Sequence, residues 1–312
     1  MNAFSCVLGA DALLHISGPD SLKFLQGQTT CDTDQINEQQ ALNGAYCNPQ
    51  GRVVCDFLLL QLDTEHYGLR MRRNILTNSK AVFGKYIIFS KAELDDSQEQ
   101  WQILACWGED AAAALASELP AIPGQYLETV LGDGYTLVQL DQAGTRFECH
   151  IDSERQPELA NTISQALKKG DEQAWQALDI DSGIARIQSE TIEEFIPQMV
   201  NYDITGHVNF TKGCYTGQEV VARMHYRGKP KRRMYLATIA AGSKPVAGEA
   251  LYSVGEQSVG NIVNSAMLAN GEVSVLVVAT ADGFDAGLHL GAIDGPKLTP
   301  GELPYALEKP TP

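Results

Sequence analysis

The chain has 312 residues, 44% of them hydrophobic and 20% charged, which is length enough for one to three domains and a sizeable core. That composition excludes a disordered, fibrous or disulfide-stapled miniature protein. Thirty-nine acids against 23 bases leave a formal charge of −16, so general attachment to nucleic acid or anionic membrane is excluded and any polyanion needs a local basic site.

In chain order, Leu13 to Ile16 reads as an apolar strand, and Gly18-Pro19 as a turn into a short helix capped by Asp20 and carrying Leu22 and Leu25. Val53 to Leu62 is rich in strand formers. Tyr67, Leu69 and Met71 alternate with Gly68, Arg70 and Arg72, predicting a hairpin across Asp63 to His66. The alanine-rich run Asp110 to Leu119 predicts a helix stopped at Pro120. Thr136 to Leu140 and Phe147 to Ile151 predict a second hairpin around Asp141 to Gly144. Leu159, Ile163 and Leu167 lie at helical spacing, with Lys168 and Lys169 before Gly170 as a C-terminal signal. Asp171 then caps a helix carrying Trp175 and Leu178 on one face. Strands without regular helix alternation predict an α+β fold rather than a doubly wound parallel sheet.

Beyond Arg233 the texture changes. Met234 to Ala240, Ala250 to Val254, Val259 to Val263 and Val273 to Thr280 are short strand candidates divided by Gly242, Gly248, Gly255 and Gly271. Such spacing predicts a small antiparallel barrel or sandwich, and places a domain boundary between residues 1–233 and 234–312. No apolar run approaches the about 20 residues of a membrane span. The first 16 residues lack a basic region and carry Asp11 in their apolar stretch, so no secretory signal and no membrane partner are expected. Seven irregularly spaced cysteines fit reduced thiols in a cytoplasmic setting.

Bases concentrate in residues 212–233, where Lys212, Arg223, Arg227, Lys229, Lys231, Arg232 and Arg233 face a single acid, Glu219. A solvated basic helix face is the plain explanation of such a run. The same segment opens on Lys212-Gly213-Cys214-Tyr215-Thr216-Gly217-Gln218-Glu219, between the strand-like Val208-Asn209-Phe210 and the helically spaced Val220, Val221 and Met224. Thr216 and Glu219 match a capping box, which starts the helix just after Thr216. A thiol beside Lys212 near a helix N-terminus is in an electropositive setting that favours thiolate, nucleophilic, redox or metal chemistry. An inert buried cysteine in a glycine-rich turn competes with that reading, and residue chemistry alone leaves both open. The lysine precedes the glycines, so this is not a phosphate-binding Walker loop. Neither H-E-x-x-H nor C-x-x-C occurs, and no dedicated zinc site is expected. Pairing of Cys214 with His207 or His225 as nucleophile and base is the runner-up chemistry.

On the strength of Lys212 to Glu219, the chain resembles the YgfZ family of folate-binding proteins, related to the aminomethyltransferase (T-protein) of the glycine cleavage system. The signature extends through Val221-Ala222-Arg223, Arg227-Gly228 and Lys231-Arg232. Weaker matches are Gly18-Pro19-Asp20 with Phe24 to Gln28, Asn48 to Arg52, Lys85-Tyr86 with Ser90-Lys91, and Phe195 to Gln198 with Asn201. The resemblance implies a ring-like three-part α+β fold with a cavity for tetrahydrofolate, ending in a β-barrel. It also implies a role in maintaining iron-sulfur proteins, including a tRNA-thiolating enzyme.

Read through that resemblance, Trp175 matches a pocket tryptophan that stacks on the pterin, although its residue pattern alone says core. Asp181 stands where related enzymes place a Glu, to accept from the pterin edge. Asp11 stands near a second pocket tryptophan of some members, so that wall is built differently. Lys212 polarises the Cys214 thiol or holds an anion, and Arg223 with the basic stretch to Arg233 offers sites for the folate tail, a partner protein or RNA. Arg70-Met71-Arg72-Arg73-Asn74-Ile75 lacks the Asn-Ala and catalytic aspartate of true aminomethyltransferases, which disfavours one-carbon transfer from glycine. The resulting expectation is a tetrahydrofolate-binding accessory protein of iron-sulfur and tRNA-modification chemistry. A folate-dependent one-carbon transferase is the alternative.

Overall fold

A computed structural model describes residues 2–307. It divides into two compact units, one made of residues 2–45, 56–172 and 211–215, the other of residues 46–55, 173–210 and 216–307.

In the first unit, a six-stranded sheet runs in the order Lys168–Lys169, Phe4–Val7, Trp101–Trp107, Arg146–Asp152, Tyr135–Gln139, Thr129–Gly132. The predicted second hairpin is its centre, with Phe147 opposite Gln139 and Ile151 opposite Tyr135. Alternation along Arg146–Asp152 sends Phe147, Cys149 and Ile151 into a core with Leu104, Cys106, Ala111, Leu115 and Ile163, beneath the helices Ala111–Glu118 and Leu159–Gln165. Lys168 and Lys169 do not end a helix. They pair in parallel with Phe4 and Ser5, because backbone bonds from Lys168 N to Ala3 O and from Gly170 N to Ser5 O outweigh the local signal.

A second sheet runs in the order Leu42–Cys47, Val53–Asp63, His66–Arg72, Asp11–Ser17, Glu93–Asp95. The predicted first hairpin is present, with Leu58 opposite Arg70 and Leu60 opposite Gly68. The helix Ser21–Gln28 follows as expected, but the Asp20 carboxylate accepts from Lys91 N at 2.8 Å instead of capping it.

In the second unit, the predicted C-terminal strands appear as Arg232–Ile239, Ala250–Tyr252, Gly260–Met267 and Val273–Thr280, joined by His289–Leu290 and Leu298–Pro300. The sheet order begins with His289–Leu290 and ends with Leu298–Pro300. These two strands meet through a bridge between His289 and Lys297 and a bond from Leu298 N to Leu288 O, which closes the antiparallel sheet into a barrel. Its interior holds Ala237, Ile239, Leu251, Ile262, Val275, Val277, Leu288 and Leu298. A register shift between Ile262 and Asn264 frees the Asn264 amide to bond both ways with the Arg186 backbone at 2.8 Å. Val208 to Phe210, expected as a strand, is irregular chain.

His15 in the first unit and His207 in the second make stability depend on pH. Burial pulls both His15 and His207 from 6.5 down to about 3, helped by His66 for the first and by the Arg186 charge for the second. Both are neutral in the fold, whereas the unfolded chain protonates them below pH about 6.5. The folded pKa is therefore the lower one, and stability is complete above about 6.5 and lost as pH falls toward 3. The slope is about 1.4 kcal/mol per pH unit per histidine, so urea unfolding at pH 5 should give about 2 kcal/mol less per histidine than at pH 7. A midpoint unchanged between those pH values would contradict it.

Candidate functional site

The Lys212 to Glu219 segment is held at both of its ends. In the first unit, the Lys212 ammonium donates to the carbonyls of Gln26 at 2.8 Å, Thr29 at 2.7 Å and Cys31 at 2.6 Å. An ammonium has three hydrogens, and three carbonyls take them. Lys212 also lies 5.3 Å over the buried Tyr215 ring. Burial lowers its pKa, opposed by Cys31 and Asp32. The expected role of Lys212, polarising a thiol or holding an anion, therefore gives way to that of a clamp on the 26–31 loop.

The thiol that the clamped segment carries stands apart from the others. Cys214 is exposed, whereas Cys31, Cys47, Cys55, Cys106 and Cys149 are buried and Cys6 is half-buried. Burial, reinforced by Glu172 and Asp171, pushes Cys6 up to about 12, and burial raises Cys31, Cys106 and Cys149 as well. Those sulfurs are held as thiols. Cys214 is not the buried cysteine of the competing reading, because it lies with Gly213 on an exposed stretch of chain.

In the second unit, the helix Gln218–Arg227 starts one residue later than the capping box predicts. Its N-cap is Gly217, in the left-handed region at φ 81°, and no side chain caps it. A Cβ there would collide with the Asn48 carbonyl oxygen and crowd Cys47 and Gly51, so close approach to the 48–52 turn fixes both the glycine and the helix start. That turn is ordered by Asn48, whose side-chain oxygen accepts from Gln50 N and Arg52 N. Gln198 Nε2 donates to Val221 O at 2.9 Å from inside the fold. Gln218 is half-buried, whereas Glu219 is exposed on the first turn and does not serve as a box partner.

The basic run separates into two groups. Arg233 grips Asp203 with both terminal nitrogens at 2.7 and 3.1 Å and donates to Gln198 O, so it is structural. Arg223, Arg227, Lys229 and Lys231 are exposed and make no ion pair among the described residues. His207 is sealed and stacked on Tyr202 at 4.1 Å, and His225 is stacked on Phe210 at 3.4 Å, so both runner-up bases are engaged in ring contacts.

Trp175 and Asp181 share the helix Glu172–Asp181, but six residues separate them by about 240° of rotation and about 9 Å of axis. Trp175 is 0% exposed, so its expected stacking face is enclosed by protein and the core reading holds. Asp181 is exposed at the helix end and accepts from Ser274 Oγ at 3.4 Å. Asp11, expected to line a pocket wall, is instead buried in the first unit between Arg70 at 3.2 Å and Arg72 at 3.3 Å.

Arg70 also meets Glu148 at 2.6 Å, and Glu148 lies 3.4 Å from His150, giving a buried cluster that sequence reading missed. Its only signal was the alternation of Gly68, Arg70 and Arg72, which reads as a wet strand face. Both carboxylates of this cluster are matched by arginines, so neither offers a free base beside residues 70–75.

The GCVT N-terminal domain family model matches residues 12–122. The solved aminomethyltransferase T of the glycine cleavage system from Bartonella henselae superposes with a TM-score of 0.78 at 16% identity, covering 98% of this chain and 87% of that one, which shows a T-protein-like fold. The tRNA-modifying protein YgfZ of Escherichia coli O157:H7 is 33% identical over 301 residues, 96% of this chain and 92% of the relative. Its counterpart in Shigella dysenteriae serotype 1 is 32% identical over the same span. At that identity and coverage, the chain belongs to the YgfZ family.

Proposed function

We propose that this protein binds a reduced folate and supports tRNA modification alongside iron-sulfur enzymes, including a tRNA-thiolating one, with Cys214 as its functional thiol. The observation that carries the reading is the division of the sulfurs: six are buried or half-buried, and the seventh is exposed on a segment clamped by Lys212 and seated at Gly217. A protein gains nothing in packing from an exposed thiol, so its placement at the end of such scaffolding points to chemistry or contact. The relatives' name supplies the tRNA context, and the family resemblance carried by Lys212 to Glu219 supplies the folate context.

The residues fit a folate in part. A pterin edge presents N–H donors that suit the exposed Asp181 carboxylate, and the anionic glutamate tail suits the exposed Arg223 guanidinium. Trp175 does not fit as a stacking surface, because no part of it is exposed. A bound reduced folate supplies a carrier for one-carbon units. Asp181 orients the ring, Arg223 neutralises the tail, and Cys214 acts from its own exposed turn.

Calorimetric titration with tetrahydrofolate, free of oxygen, tests the reading. Wild type should bind saturably, with Asp181→Asn and Arg223→Ala each weaker by about tenfold or more. Cys214→Ala should bind folate as wild type does, yet fail to restore thiolated tRNA nucleosides in cells lacking the protein. Absence of saturable binding by wild type would refute the folate assignment. Full restoration by Cys214→Ala would refute the thiol.

A further inference from the structure

We propose that the C-terminal half of the helix Gln218–Arg227 and the chain just after it form a contact surface for single-stranded RNA, with Tyr226 as a base-stacking platform. The choice of RNA over other polyanions rests on the tRNA-modification reading above, while the surface itself rests on geometry.

Arg223, Tyr226 and Arg227 stand at i, i+3 and i+4, so they share one helix face, and Lys229 and Lys231 continue from its end. All four cations are exposed and unpaired by any acid among the described residues, so they form a local positive patch, open to an anionic partner, in a chain of net charge −16. Tyr226 is 67% exposed, a large aromatic left in water amid those cations. Its orientation is fixed. The hydroxyl donates to Phe210 O at 3.4 Å, and the ring meets Phe210 at 74° and His225 at 87°, so neither of them stacks on it. Phe210 and His225 stack on each other at 3.4 Å and brace it from beside.

An exposed aromatic among exposed cations is the arrangement that takes unstacked bases and their phosphates together. A duplex keeps its bases paired and offers no face to Tyr226, so the surface selects single strands, as in loops and ends of folded RNA. Acidic surroundings limit the footprint to this patch, since the first 211 residues carry 30 acids against 13 bases.

Fluorescence anisotropy with a short labelled single-stranded RNA, and with the duplex of the same sequence, tests the proposal across a salt series. The single strand should bind more tightly than the duplex. Tyr226→Ala should weaken it on the order of tenfold and Tyr226→Phe should not, because stacking needs the ring and not the hydroxyl. Lys229→Ala with Lys231→Ala should flatten the dependence of log affinity on log salt by about 0.7 for each cation removed. These residues are exposed, and circular dichroism should show the variants folded.

The proposal is overturned if the duplex binds as well, if Tyr226→Ala binds like wild type, or if poly-L-glutamate competes as strongly as RNA. The last outcome would assign the patch to an acidic protein. Tetrahydrofolate titration of the same variants separates the two readings. Folate bound normally with no RNA binding removes this surface alone, whereas RNA bound with no folate binding removes the folate reading and leaves the surface standing.

Discussion

Glu148→Ala is expected to lower the stability of the first unit by about 3–5 kcal/mol in urea unfolding, among the largest effects available to one substitution. Arg70, Arg72, Asp11 and Glu148 form a buried set of two cations and two anions, with Arg70 bonded to Glu148 at 2.6 Å and to Asp11 at 3.2 Å. Removing Glu148 leaves two guanidinium groups sharing one carboxylate where water does not reach. The penalty belongs to the stranded charge and not to the lost bond, so Arg70→Leu combined with Glu148→Leu should recover most of it. A cost of under about 1 kcal/mol for the single variant would mean that water already enters the cluster.

Trp175→Ala should cost about 3–5 kcal/mol as well, by a different cause, since it empties a large volume from a packed interior. Trp175 heads the fully buried side chains by size, and its helix is pinned at its far end by Ile180 and by the Asp179 to Arg186 ion pair. Trp175→Leu fills part of the space without a ring. It should lose less stability and keep the folate affinity of wild type. Folate affinity that falls steeply in Trp175→Leu, with the urea midpoint little changed, would place the indole against the ligand after all.

Much of the fold is legible in the residues, and the parts that are not have physical causes. Both hairpins and the long barrel strands follow from runs of strand formers bounded by turn residues, with alternation adding to the signal in His66–Arg72, and tertiary contacts reinforce it. The barrel's two closing strands, His289–Leu290 and Leu298–Pro300, are too short for periodicity to register. Lys168–Lys169 carries a helix-end pattern, but a partner strand more than 160 positions away in sequence, Phe4–Ser5, decides its conformation.

The glycine-rich turn around Cys214 was legible from its neighbours, whereas the exposure of the thiol was not, because burial is set by the surrounding fold. Nor were the turn's supports. Lys212 reaches carbonyls some 180 residues earlier in the chain, and Gly217 is needed because Asn48 lies against it. Local reading attached Lys212 to the nearest reactive group and the helix start to the nearest hydroxyl, and distant backbone atoms set both. Trp175 is the opposite case: its residue pattern already said core, the family resemblance pointed to a pocket, and the packing agrees with the residue pattern.

The way the sheets terminate has a consequence for self-association. Pairing of the two end strands through His289 and Lys297 leaves neither of them as a long open edge onto which another chain could add. At one border of the first unit's six-stranded sheet the last strand is two residues long, and both are exposed lysines, Lys168 and Lys169. Borders that are paired, or brief and positively charged, resist the edge-to-edge growth that leads to amyloid, which suits a polypeptide whose 44% hydrophobic content would otherwise make crowding hazardous.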